Sequence, residues 1–193
     1  MNTIKRIIIS VFVLLLYQTI DAQEKWGLQF RPGMNFATED LDILDSQVGF
    51  GFEISWSYKF EEHFGLYTGW SWNTFRATEI DRNRNDLDIS SFTFGLDYSH
   101  LINKTNLSYF ARFGGIYNKV KLEDTNSDIL SESDYGLGWE ISAGIEIALG
   151  SSTWYLRPQM GFRSLSRDLI IENLNSEIKL NHIVLSGSVI KKF

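Results

Sequence analysis

Nine charged side chains interrupt segments of the sequence that are otherwise rich in apolar and small residues. Five are basic and four are acidic: Arg31, Lys59, Arg112, Arg157 and Arg163, with Glu53, Asp97, Glu140 and Glu146. An unpaired buried charge is very costly, so charges of both signs that share a confined space are expected to pair. We therefore predict a structural charge network. The alternative, an ion or proton path, would need a continuous column of water.

Three histidines are the candidates for acid–base catalysis. An enzyme that modifies lipid A needs a histidine beside a nucleophilic serine or a carboxylate. His63 falls in a short polar turn, and His100 lies on the apolar face of its segment. His182 lies on the polar face, but Ser186 is about 14 Å away if the segment is a strand. The sequence therefore predicts no catalytic residue, with a lipid A-modifying enzyme as the alternative.

Acidic residues concentrate in four polar segments, which hold sixteen Asp or Glu, three Arg and no Lys. These segments are 37–46, 79–88, 123–134 and 166–178. Asp81–Asn85 begins like a calcium-binding loop, but Asp86 and Phe92 replace the glycine and glutamate that such a loop requires. We predict solvated acidic loops, no metal site and no cofactor. A protein partner or divalent cations are the alternative for these loops, and the acidic net charge disfavours nucleic acid.

The elements that carry the nine charges are predicted strands. From Tyr135 to Leu149 every odd position is apolar, whereas the even positions hold Gly, Ser, Ala, Glu140 and Glu146. Successive side chains of a strand point to opposite faces, so this period of two gives one apolar and one polar face. The same alternation recurs seven more times. The eight predicted strands begin near Trp26, Val48, Phe64, Phe92, Leu107, Tyr135, Trp154 and Ile183.

Eight strands joined by alternately short and long connections predict an all-β fold, an eight-stranded antiparallel up-and-down transmembrane β-barrel. The short connections are predicted at 61–63, 103–106 and 150–152. The bore of such a barrel is too narrow for the many Trp and Phe side chains, so the apolar face should point outward into lipid. A soluble lipocalin-like barrel, periplasmic or secreted, would place the apolar face inside and is the alternative.

The first 22 residues have the layout of a secretory signal peptide. Lys5 and Arg6 precede an apolar run from Ile7 to Tyr17, and Ala22 provides a small residue for cleavage. The run is too short for a membrane helix, which needs roughly 20 residues. We predict a signal peptide at 1–22 and a barrel domain at 23–193. The expected location is a bacterial outer membrane with periplasmic termini, in contact with membrane lipid and lipopolysaccharide.

Both ends of the predicted barrel resemble known outer-membrane proteins. Phe193 closes an amphipathic last strand and resembles the recognition signal of the barrel assembly machinery, which implies that machinery as a partner during biogenesis. Segment 26–36, WGLQFRPGMNF, resembles the first strand of the PorT-like family of small barrels, of OmpX-like type. The resemblance implies no defined activity. The function we expect is structural, surface-interacting or assembly-related, with a lumen plugged by side chains and no solute pore.

Overall fold

A computed structural model of the chain describes residues 25–38, 44–80, 83–103, 105–124, 128–171 and 174–193. The predicted signal peptide lies outside these residues. These described residues form nine strands: β1 (Trp26–Ala37), β2 (Leu44–Lys59), β3 (Phe64–Ile80), β4 (Asn83–Leu101), β5 (Leu107–Asp124), β6 (Ile129–Glu132), β7 (Gly136–Ala148), β8 (Trp154–Ile171) and β9 (Leu174–Lys192). No helix in the described part of the chain is long and apolar enough to span a membrane.

Eight of these strands close into an antiparallel barrel, which confirms the predicted fold. Neighbouring strands pair in chain order, β5 pairs with β7, and β1 pairs with β9 to complete the circle. The four-residue strand β6 pairs with β5 at Lys121–Glu123, beyond the residues of β5 that pair with β7. Closure pairs the backbone groups of each strand with two neighbours, the condition for exposing a β-sheet to hydrocarbon.

We call the end of the barrel with the short connections the turn end. Residues 60–63, 102–106 and 149–153 connect the strands there, as predicted. Gly150 adopts a φ of 65°, which favours glycine, in a turn where the Leu149 amide donates to the Trp154 carbonyl at 3.0 Å. The start of β1 and the end of β9 also meet there, because the Phe193 amide donates to the Trp26 carbonyl at 2.9 Å.

The two faces of the barrel wall point as predicted. Trp139 and Ile141 of β7 are 44% and 48% exposed on the outside. Glu140 and Glu146 of the same strand are 3% and 2% exposed and point inward. Large apolar side chains therefore cover the outer surface, and carboxylates are buried inside, the reverse of a soluble barrel.

The prediction of long loops at 79–88 and 166–178 is wrong. Strand β3 continues to Ile80 and β4 begins at Asn83, while β8 continues to Ile171 and β9 begins at Leu174. Segment 123–134 also contains the end of β5 and all of β6. We call this opposite end of the barrel the hairpin end, because strands rather than loops extend from it.

The loop prediction fails because the alternation is reversed toward the hairpin end, where apolar side chains point inward and charged ones point outward. In the part of the wall nearer the turn end, Phe92 of β4 faces outward beside Tyr117 of β5. Four residues nearer the hairpin end, on the same outer face, Asp88 lies beside Lys121. The inward positions at that height are apolar, with Leu87 paired to Leu122. The register runs through without a shift, so one continuous ladder has an apolar outer face for lipid and a charged one for water.

Candidate functional site in the barrel interior

The charge network has two parts. The upper part, nearer the hairpin end, centres on Glu53, which points inward from β2. Its carboxylate forms an ion pair with Arg31 on the neighbouring strand, and its Oε2 lies 2.7 Å from Arg163 Nη2. Its Oε1 is 3.5 Å from Arg112 Nη1 on the opposite side of the barrel. Three arginines thus converge on one carboxylate that is 1% exposed, so their charges are shared rather than paired one to one.

Glu140 completes this upper cluster. Its Oε2 is 2.9 Å from Arg163 Nη2 and 3.6 Å from Arg31 Nη2. Its Oε1 accepts a hydrogen bond of 2.7 Å from the Tyr67 hydroxyl. The Tyr67 ring also lies 4.4 Å from the Arg112 guanidinium carbon, a cation–π contact. Tyr67 therefore contributes both a polar and an aromatic contact to the cluster.

The lower part of the network lies toward the turn end, around Arg157. This side chain reaches Asp97 Oδ2 at 2.8 Å through Nη1 and Glu146 Oε2 at 2.6 Å through Nη2. Arg112 Nε is 3.2 Å from the same Asp97 oxygen, so Arg112 links the two clusters. Lys192 Nζ lies 2.6 Å from the second Glu146 oxygen. The guanidinium of Arg157 covers the Phe110 ring at 4.1 Å.

Two features of the strands position these groups: side chains alternate between the inner and outer faces, and small residues beside the charged ones leave room for them. Charged residues from seven strands reach the barrel interior because they occupy inward positions in those strands. Glycines on the inner face supply the space, since a side chain at Gly114 would collide with the Tyr67 hydroxyl. The Gln29 side chain joins the network, accepting from Arg112 Nη2 at 2.6 Å and donating to Ser188 Oγ at 2.5 Å.

Eight of the nine predicted residues meet in these two clusters. The ninth, Lys59, lies nearer the turn end, in a cavity that it shares with Lys192 and Glu146. Sequence reasoning left Lys192, Tyr67 and Gln29 out of the network. The signal that could have included them is strand parity, because all three occupy inward positions in their strands.

An apolar cluster, which we call the apolar plug, fills the lumen at the hairpin end. It consists of Ala37, Phe75, Leu87, Ile89, Ile116, Val120, Leu122, Leu165 and Leu180, all at most 8% exposed. The expectation that inward positions carry Gly, Ser and charges is therefore wrong here. These apolar residues pack inside because the outer face at their height is polar, so water rather than lipid is the neighbouring solvent.

The histidines do not form a catalytic arrangement. His182 is fully buried beside the apolar plug, with its ring 5.6 Å from that of Phe75 in an edge-on contact. Ser188, further along the same strand, instead bonds Gln29 and the Arg157 carbonyl. His63 and His100 contact each other at the turn end, with 4.7 Å between ring centroids. Across the described residues, no three His, Asp or Glu side chains form a group that could hold a metal.

The surface at the hairpin end carries cations beside the acidic residues of the predicted loops. Lys121 lies opposite Asp88, and Arg76 lies opposite Asp86, on the outer faces of neighbouring strands. Lys119 Nζ is 2.8 Å from Glu132 Oε2 on β6. These cations flank the segments counted as loops. The calcium-loop resemblance also fails in part, because Asn85 is paired as a strand residue, while Asp81 lies outside the described residues.

Outward apolar residues, inward ion pairs and ring closure define a transmembrane β-barrel. The outer membrane protein beta-barrel domain model matches residues 8–183. The chain therefore belongs to this family of bacterial outer-membrane barrels. No curated protein sequence matches it significantly.

Solved structures share the fold at low sequence identity. Neisserial surface protein A has a TM-score of 0.63 and 14% identity, over 87% of this chain and 97% of that one. OprG from Pseudomonas aeruginosa gives 0.57 and 12%, over 88% and 96%. A designed transmembrane β-barrel gives 0.51 and 14%, over 88% and 96%. At these identities the likeness concerns the fold alone.

Replacing Glu53 with glutamine tests the energetic weight of the charge network. The Glu53→Gln variant leaves three buried arginines with one carboxylate fewer, so we expect unfolding to become easier by about 3–5 kcal/mol. Urea unfolding in phospholipid vesicles, followed by the fluorescence of the six tryptophans, measures this change. Glu132→Gln, which breaks the exposed pair with Lys119, should leave stability unchanged within error. Equal effects of the two variants would contradict a structural role for the network.

Proposed function

We propose that this outer-membrane barrel is a closed-lumen protein whose role lies in the surface it presents beyond the membrane. The role is structural or surface-interacting rather than transport. The observation that carries the proposal is the filled interior, where a charge network and an apolar plug lie one above the other. A solute path would have to pass through both.

The two obstructions resist water for different reasons. In the charge network, Arg112 and Glu53 are at most 2% exposed, and each is held by several partners. In the apolar plug, Phe75 and Leu87 are at most 1% exposed, and the cluster offers no hydrogen-bonding groups to a file of water molecules. A bore of eight strands is narrow enough for side chains to fill.

Conductance measurements test the closed lumen. The purified barrel, inserted into planar lipid bilayers, should give no stepwise ion conductance, because neither obstruction leaves a water column. A general porin in the same bilayers is the positive control, and a heat-dependent gel mobility shift shows that the barrel is folded. Discrete channel openings by the folded protein would overturn the proposal.

We further propose that the turn end and both termini face the periplasm, with the hairpin end outside the cell. The short connections lie at the turn end, as in outer-membrane barrels whose periplasmic turns are short. The outer face at the hairpin end carries Lys121, Arg76 and Lys179 above the apolar wall. Cations at that height suit the anionic groups of lipopolysaccharide, and the neighbouring carboxylates offer contacts to a protein partner.

Cysteine labelling in intact cells tests this orientation. The chain contains no cysteine, so a single substitution provides a unique thiol. A membrane-impermeant maleimide should label Lys121→Cys at the hairpin end in intact cells. It should label Ser151→Cys, exposed in a turn at the other end, after the outer membrane is permeabilised. The opposite pattern would reverse the proposed topology.

The last residue is proposed to act as an assembly signal for the barrel assembly machinery. Phe193 directly follows β9, the strand that closes the barrel, and its backbone bonds to Trp26. An aromatic residue at this position resembles the signal that the machinery recognises. Phe193→Ala should therefore lower the fraction of folded barrel in the outer membrane severalfold, measured by gel mobility of unheated membranes. Phe60→Ala, an exposed aromatic at the same end, is the control. Equal losses would contradict a specific signal.

The other functions considered receive no support from the site. A lipid A-modifying enzyme would need His182 accessible beside a nucleophile, whereas its side chain is buried against Phe75. A soluble barrel would bury Trp139 and expose Glu140, the reverse of the observed arrangement. Membership of the PorT-like or OmpX-like group within the family remains our proposal from the first strand and the C-terminal residue.

A further inference from the structure

We propose that the turn end of the barrel contains a vestibule that binds the phosphate group of a small soluble molecule, with Lys59 and Lys192 as its main contacts. The proposal concerns the opposite end from the surface considered above and does not depend on it. It arises from a surplus of positive charge beside a cavity.

The surplus follows from the composition of the lumen. Within the charge network, four buried arginines face four buried carboxylates, and the ion pairs described above connect all eight. Lys59 and Lys192 add two further positive charges at the turn end. Lys192 contacts Glu146, but that carboxylate already binds Arg157 through its other oxygen. Lys25 lines the smaller of two adjoining cavities and Glu62 the larger, so these two charges add nothing to the sum.

A cavity of about 370 Å³ lies against these lysines. A smaller cavity of about 40 Å³ adjoins it and shares Lys59, Ser99 and Lys192 in its lining. The larger volume is at the lower end of the range typical of small-molecule sites. Hydroxyl and amide groups also line it, from Ser99, Thr105, Asn106 and Ser108. The carboxylates of Glu62 and Glu146 line it too, and that of Glu146 is already held by Lys192 and Arg157.

A phosphate monoester fits this lining better than a carboxylate does. It carries a charge of about −1.5 to −2 near neutral pH and three acceptor oxygens. Two ammonium groups match that charge, and the hydroxyl and amide groups can donate to the remaining oxygens. The lumen above is closed by Arg157 and its carboxylates. The ligand therefore enters and leaves through the turn end, and only its anionic group reaches the lysines.

Calorimetric titration of the full barrel with inorganic phosphate tests the proposal. The protein is held in a maltoside detergent that contains no phosphate, at constant ionic strength. We expect saturable binding of one phosphate per barrel. Acetate should bind at least about tenfold more weakly, because it is a monoanion with two oxygens. Equal affinities for phosphate and acetate, or no saturable binding of phosphate, would overturn the assignment.

Substitutions locate the site. Lys59→Gln and Lys192→Gln should each weaken phosphate binding by about tenfold, and Lys59→Arg, which keeps the charge, should retain it. Lys121→Gln, at the hairpin end, should bind like the unmodified protein. Unheated gel mobility confirms folding in each case, and if Lys59→Gln fails to fold, the Lys192→Gln and Lys59→Arg pair decides. Unchanged binding by a folded Lys192→Gln variant would contradict the proposal.

Discussion

A polypeptide in hydrocarbon must satisfy its own backbone hydrogen bonds, and the rest of this structure depends on that constraint. Pairing β9 with β1 closes the sheet, and the mutual bonds of Trp26 and Phe193 extend the closure to the last residue. With eight strands the bore is narrow. Side chains that point inward must then pack as tightly as a protein core, whatever their polarity.

The lumen meets this requirement in two different ways along its length. Where lipid surrounds the wall, apolar residues are needed outside, so the inward positions carry charges that neutralise one another, such as Arg157 with Asp97 and Glu146. Where water surrounds the wall, charges lie outside and Leu87 and Leu122 pack inside. The same strand ladder is therefore built like a membrane barrel near the turn end and like a soluble barrel near the hairpin end. The change from lipid to water outside the wall explains why one part of the lumen is charged and the other apolar.

The sequence was sufficient to predict the barrel, its eight ring strands and the outward apolar face. It also predicted the arginines and carboxylates of the charge network, but not Lys192, Tyr67 or Gln29. Alternation of apolar and polar residues is strong where one face meets lipid, as between Tyr135 and Leu149. The extended hairpins were missed because there the alternation has the opposite sense, and acidic residues such as Asp86 and Asp88 resemble loop residues. Contacts between distant strands, including Tyr67 with Glu140, depend on the stagger of the barrel, which periodicity alone does not determine.

The most direct test of this account is a spin-label accessibility scan along the outer face of β8. Because the chain has no cysteine, single cysteines at Leu156, Met160, Ser166 and Asp168 can each carry a nitroxide in the vesicle-embedded protein. We predict that labels at the first two positions collide mainly with oxygen dissolved in lipid. Labels at the last two should collide mainly with a water-soluble nickel chelate. A uniform lipid signature from Leu156 to Asp168, or a uniform aqueous one, would contradict the inversion of polarity.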